Sequence, residues 1–171
     1  PVPGVWGPYF AAMLPGLYFD DIKVGDERLT PRVTVTEGHI LAYAGVSGDF
    51  SPLHMAELYG RSTEYGSRVA HGLMGLTLTD GLKVQSAFFQ DGIALGWSWK
   101  FRGPIRIGDT LQVKFRIADA RVSKKMPHMG ILIIAIELIN QRGEVVQQGE
   151  HQLMVPRRPD LVAGAGETLM V

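Results

Sequence analysis

A chain of 171 residues is long enough to bury a hydrophobic core of its own, and 46% hydrophobic with 20% charged residues is ordinary for a globular protein. Lysine plus arginine and aspartate plus glutamate balance at 17 each, so charge points neither to nucleic acid nor to an anionic membrane. The absence of cysteine removes disulfides, thiolate nucleophiles and cysteine-ligated metal centres, and it fits a cytoplasmic protein.

The first 19 residues carry no charge. They lack the positive start and unbroken apolar stretch of a secretory signal, and Pro1, Pro3, Pro8 and Pro15 interrupt any helix there. Residues 1–16 are expected to form an extended arm whose Trp6, Tyr9, Phe10, Met13 and Leu14 pack on the domain or a partner subunit. Residues 29–36 alternate strictly, which predicts a half-buried strand with Leu29, Pro31, Val33 and Val35 on one side. Pro31 confines that strand to an edge or places it near its start. Thr36 is suited to cap a helix over 37–46, and a short helical piece is expected near 56–63.

Residues 72–88 contain no proline and are apolar nearly all round, through Leu73, Met74, Leu76, Leu78, Leu82, Val84 and Phe88. That pattern predicts a buried helix, in which Asp80 must find a partner. Beyond residue 90 the period becomes two. Ile93, Leu95, Trp97, Trp99 and Phe101 line one face of a strand, and Leu111, Val113, Phe115 and Ile117 line the next. The nearly continuous apolar run at 129–139 fits a central strand, and 144–155 a last strand after a turn at 140–143. Residues 156–171, rich in proline, glycine and alanine, read as a tail. One strand, then helices, then antiparallel strands implies an α+β domain over 17–155 whose curved sheet wraps the 72–88 helix. The longest interior apolar run, Met129 to Ile136, is far short of the roughly 20 residues that span a bilayer.

The stretch Gly48-Asp49-Phe50-Ser51-Pro52-Leu53-His54 carries the chemistry. On a regular helix, positions five apart diverge by about 140°. Pro52 disfavours helical geometry at Ser51, and Gly45 and Gly48 permit turns that other residues resist. The chain can therefore fold Asp49 and His54 over one spot, a proton acceptor and donor converging on a single water. Asp49 is equally suited to brace an Asx-type turn before Pro52. His39, His128 and His151 have no partner at a telling spacing and read as surface or packing residues. Trp97 and Trp99 read as sheet core. Lys100, Arg102, Arg106, Lys124 and Lys125 are scattered cations that suit solvent first and phosphates second.

Rival chemistries lack their motifs. Gly45-Val46-Ser47-Gly48-Asp49 has aspartate where a nucleophile elbow needs glycine, and no phosphate-cradling or dinucleotide glycine pattern occurs. Asp49, His54 and His71 include no pair at a recognised metal-ligand spacing.

Residues Tyr43 to His54 resemble the signature of the MaoC-like dehydratases and (R)-specific enoyl-CoA hydratases, which have the hotdog fold. Val69-Ala70-His71-Gly72, Phe101 to Asp109 and Tyr18 to Asp26 resemble that family's other segments, in the right order, over roughly 17–155. The resemblance implies a curved antiparallel sheet wrapped around a long buried central helix. It also implies reversible, stereospecific hydration of trans-2-enoyl-CoA thioesters to 3-hydroxyacyl-CoA. Asp49 and His54 would be the catalytic pair and the backbone N–H of Gly72 the oxyanion donor. Ser51, Phe50, Leu53, Val69, His71 and Met74 would support the pair or line the substrate, with Leu78 a further pocket residue. Serine at position 51, where the family commonly has asparagine, changes the local hydrogen bonding. The resemblance further implies a homodimer or larger homo-oligomer, with an acyl-CoA thioester as substrate, no cofactor and no metal. Two alternatives on the same fold are an acyl-CoA thioesterase and a non-catalytic acyl-CoA-binding module.

Overall fold

The computed structural model describes residues 16–89 and 92–163, so the expected N-terminal arm and the end of the tail lie outside the described residues. After a 3-10 turn at Phe19–Asp21 come β1 (Glu27–Thr34), α1 (Glu37–Ser47), α2 (Pro52–Met55), α3 (Glu57–Ser62) and α4 (Gly72–Gln85). Then follow β2 (Ile93–Phe101), β3 (Thr110–Val122), β4 (Met129–Ile139), β5 (Val145–Pro156) and a turn of helix, α5 (Pro159–Ala163). The five strands form one antiparallel sheet in the order β1-β3-β4-β5-β2, with α4 packed against β1 and β3. Among the described residues no helix is long and apolar enough to cross a membrane.

The period-two pattern places the core. Leu111, Val113, Phe115 and Ile117 of β3 and Leu132, Ile134, Ile136 and Leu138 of β4 are all almost fully buried. Each such side chain stabilises the fold by about 1.5–3 kcal/mol through loss of apolar contact with water. Register carries these rows across the sheet. Ile117 pairs with Ile134, His151 and Trp97 in turn; Phe115 with Ile136, Gly149 and Trp99; Val113 with Leu138, Gln147 and Phe101. At these three positions β5 is thus histidine, glycine and glutamine rather than aliphatic, while Leu153 and Val155 continue its apolar face.

Both edge strands depart from strict alternation. In β1 the register slips between Leu29 and Arg32, so Leu29 and Pro31 are exposed while Thr30 is buried. Pro31 has no N–H to give the ladder, and the Thr30 hydroxyl instead accepts the Val113 N–H at 3.1 Å. In β2 a second slip between Ala94 and Gly96 leaves Ile93 and Leu95 exposed, and the inward face begins only at Trp97. Bulges concentrate at sheet edges for this reason: an unpaired flank tolerates the extra residue.

The helix expected over 72–88 ends at Gln85, where Ala87 takes a left-handed conformation, φ 49°. It is also not buried all round. Met74, Gly75, Thr79, Leu82 and Lys83 face the sheet, while Leu73 and Val84 are 57% and 65% exposed, because one sheet covers one face of a helix. Arg157 and Arg158, just past β5, are held by Asp20 at 2.9 Å and Asp21 at 2.7 Å.

Asp80 finds its expected partner in Lys83 at 2.9 Å. The buried Lys83 ammonium also donates to His151 Nδ1 at 2.7 Å, and the His151 ring stacks on Trp97 at 3.9 Å. Burial, and then the Lys83 charge, push the His151 pKa down from 6.5 to about 4. The folded protein therefore holds His151 neutral at pH values where the unfolded chain binds a proton. Stability is complete above about pH 6.5 and is lost as the pH falls toward 4, by about 2 kcal/mol at pH 5 from this group alone. Urea unfolding is expected to show a larger loss between pH 7 and pH 5 for the wild type than for His151→Gln, which keeps an acceptor for Lys83 and does not titrate. Equal losses would refute the assignment.

Candidate active site

The helix α1 opens on Thr36, whose N–H is accepted by His39 Nδ1 at 3.0 Å, a capping role for a histidine read above as surface or packing. It closes at Gly48, which takes φ 75° and returns its N–H to the Ala44 carbonyl at 2.8 Å. A side chain at that angle is strained, so glycine makes the turn. Asp49 follows, and its Oδ1 accepts the Ser51 N–H at 3.1 Å. That bond makes the Asx-type turn, and the other oxygen, Oδ2, lies 3.8 Å from His54 Nε2. Pro52 at the first position of α2 then swings His54 back over Asp49.

Two contacts hold His54. Its Nδ1 lies 2.7 Å from the Val69 carbonyl, an acceptor only, so Nδ1 carries the hydrogen. In the neutral ring, Nε2 is then an open lone pair facing Asp49. The ring of His71 stacks on it at 3.8 Å and 30°, and His71 Nε2 donates to the Asp49 carbonyl at 2.8 Å. His71 Nδ1 is buried without a partner among the described residues. The Val69 carbonyl is itself placed by Arg68, whose guanidinium grips Glu37 at 2.7 Å and Glu57 at 3.2 Å, tying the loop to α1 and α3.

The 3.8 Å gap exceeds a direct hydrogen bond, yet one water can bond to both atoms. His54 is 12% exposed and Asp49 51%. A cleft of about 610 Å³ is bordered by Leu53, His54, Val69, Gly72, Phe101 and Gln147, with Arg102 and Arg106 also on its border. Gly72 is the first residue of α4, where a helix has no internal acceptor for its N–H. His54 and the proposed oxyanion donor therefore share one cleft, and Asp49, outside its border, is reached through His54. Phe50, Ser51, His71 and Met74 do not border it. Phe50 is 61% exposed, Met74 packs into the core, and His71 lies beneath His54. Leu78 does not border it either. A second cleft of about 510 Å³, between charged side chains such as Lys114 and Glu137, lies away from this site.

Asp49, His54 and His71 each bring one possible metal-ligand atom within 4.8 Å of the others. An imidazole lone pair lies in its ring plane, however. Two stacked planes do not meet within bonding distance of both nitrogens, so the trio is poorly arranged for a metal.

The MaoC like domain model matches residues 21–137. The chain belongs to the MaoC-like family. It is 30% identical over 141 residues to an (R)-specific enoyl-CoA hydratase from Rhodospirillum rubrum, covering 82% of this chain and 93% of that one. A 3-hydroxybutyryl-CoA dehydratase from Methylorubrum extorquens is 26% identical over 144 residues, covering 84% and 87%. The solved MaoC-like dehydratase of Rhodospirillum rubrum superposes with TM-score 0.75 at 31% identity, over 84% of this chain and 99% of that one. The architecture is the hotdog fold of such neighbours. This MaoC-like chain is a hydratase-type protein with an acid, an imidazole and a helix tip gathered in one region.

Sequence reasoning did not single out the Val69 carbonyl or Gln147, a polar residue at an inward β5 position. The tautomers are open to measurement. Nitrogen-15 spectra of the neutral protein are expected to find His54 protonated at Nδ1 and His71 at Nε2; the opposite tautomer at His54 would refute the site geometry.

Proposed function

We propose that the protein hydrates trans-2-enoyl thioesters to 3-hydroxyacyl thioesters, and runs the reverse dehydration, without a cofactor. The observation carrying this reading is that His54 borders a cleft shared with the α4 tip and turns its open Nε2 to Asp49 Oδ2 across 3.8 Å. A water bonded to both groups gives a proton to His54 Nε2 as its oxygen joins the β-carbon. Electron density moves onto the thioester oxygen, which the Gly72 N–H and the positive end of α4 stabilise. The α-carbon then takes a proton from the pair, on the same face of the former double bond. The pair returns to its starting protonation state, and water has been divided between two carbons.

The acyl carrier suits CoA, because Arg102 and Arg106 border the cleft and can meet phosphate. The reading includes a second copy of this chain. Ile93, Leu95 and Phe101 of edge strand β2, with Leu73 and Val84 of α4, leave apolar side chains in water that self-association would cover.

With crotonyl-CoA, loss of the enoyl-thioester absorbance is expected for the wild type, with Asp49→Asn and His54→Gln each slower by about 10²–10⁴-fold. Free thiol without hydration would instead identify a thioesterase, and binding without turnover a non-catalytic module. Sedimentation is expected to give a dimer or larger assembly that Leu95→Lys shifts toward monomer; a wild-type monomer would remove the second copy.

A further inference from the structure

We propose that Gln147 is a positioning residue for the oxyanion donor: it anchors the Gly72 backbone at the tip of α4, an inference that rests on the hydratase reading above. Gln147 is 2% exposed yet borders the cleft. Its side-chain Nε2–H donates to the Gly72 carbonyl at 2.9 Å, and its Oε1 accepts the Trp99 indole N–H at 2.9 Å. Indole only donates and a carbonyl only accepts, so the two partners dictate which end of the amide is which. No other placement of the amide satisfies both.

Two glycines clear the space for this link. A Cβ at position 75 would fall 2.5–2.7 Å from the Gln147 amide, and one at position 149 would meet the Trp99 ring and the Ser98 carbonyl. A core of ordinary aliphatic residues would have been simpler to pack at an inward β5 position. A buried amide with both ends bonded is retained at a cost, since each unmade bond there would be expensive.

The need arises from Gly72 itself. Its N–H lies in the peptide before the residue and its carbonyl in the peptide after, and without a Cβ the torsions between them are the least restrained of any residue. A Cβ there would stand only 3.0 Å from the Phe101 ring, which would have to give way. The first-turn N–H is also free of the helix ladder. Anchoring the carbonyl from β5 therefore limits how far the donor can turn away from the thioester oxygen.

The test uses the full chain and crotonyl-CoA. Gln147→Met keeps the volume and removes both hydrogen bonds. It is expected to lower kcat about 10–100-fold, as a donor displaced by an ångström would, with KM changed less than about threefold. Gln147→Glu keeps the shape, and its neutral acid can again donate to the Gly72 carbonyl. Its kcat relative to wild type is therefore expected to rise as pH falls, a signature that general loosening of the core would not give. Should Gln147→Met not fold, Trp99→Phe removes the orienting donor along with part of its ring while leaving Gln147 in place, and the same fall in kcat at steady KM is expected. The Gly72 amide resonance, followed by nitrogen-15 NMR, is expected to shift in these variants whether or not substrate turns over. A folded variant with wild-type kcat, a loss confined to KM, or an unmoved Gly72 resonance would overturn the assignment. Absence of turnover by the wild type, with the Gly72 resonance shifting as expected, would end the hydratase reading and leave the anchoring intact.

Discussion

The 2.7 Å hydrogen bond between His54 Nδ1 and the Val69 carbonyl ties α2 to the segment that leads into α4, and it decides the protonation pattern of the site. With Nδ1 committed, the neutral ring can present only Nε2 to Asp49. The Val69 carbonyl cannot drift, because Arg68 beside it is clamped by Glu37 and Glu57, and because Gly60 sits against the Ser67–Arg68 backbone without room for a side chain. From the other side His71 stacks on the imidazole and grips the Asp49 carbonyl. Asp49 and His54 are thus held through backbone groups as much as through their side chains.

The second organising feature is the inner face of β5. Where β3 and β4 present unbroken apolar rows, β5 interrupts its own with Gln147, Gly149 and His151 before Leu153 and Val155. Gln147 reaches the start of α4 and His151 reaches Lys83 near its end, so the helix is pinned to the sheet by polar contacts at two points and by apolar packing between them. Polar groups buried this way fix position more sharply than they add stability, since each is worth little net when satisfied and much when broken. Under the hydratase proposal the tip of α4 gains from that sharpness.

The MaoC-like domain match and the hotdog architecture fix the family and the fold. The side-chain contacts around Asp49 and His54 belong to this chain. Serine at position 51 illustrates the difference: it contributes its backbone N–H to Asp49 and caps α2 with its carbonyl, roles that any residue preceding proline can fill.

Much of the framework was legible in the residues. The alternation of β3, the apolar run of β4, the cap at Thr36 and the turn that Gly48 permits are local rules, so their elements emerged near the expected positions. The edge strands were not legible in detail, because whether Pro31 or Leu95 breaks a ladder depends on which neighbour is present. The proximity of Asp49 and His54 was foreseeable from Pro52, a constraint spanning a few residues. Three things were decided only in the tertiary structure: the tautomer of His54, the burial of Lys83 against His151, and the reach of Gln147 to Gly72. Each joins a side chain to a group 15 to 75 positions away. Backbone torsions and hydrophobic period act over one or two turns of chain, whereas a carbonyl lone pair is chosen by whatever donor the assembled fold brings within 3 Å of it.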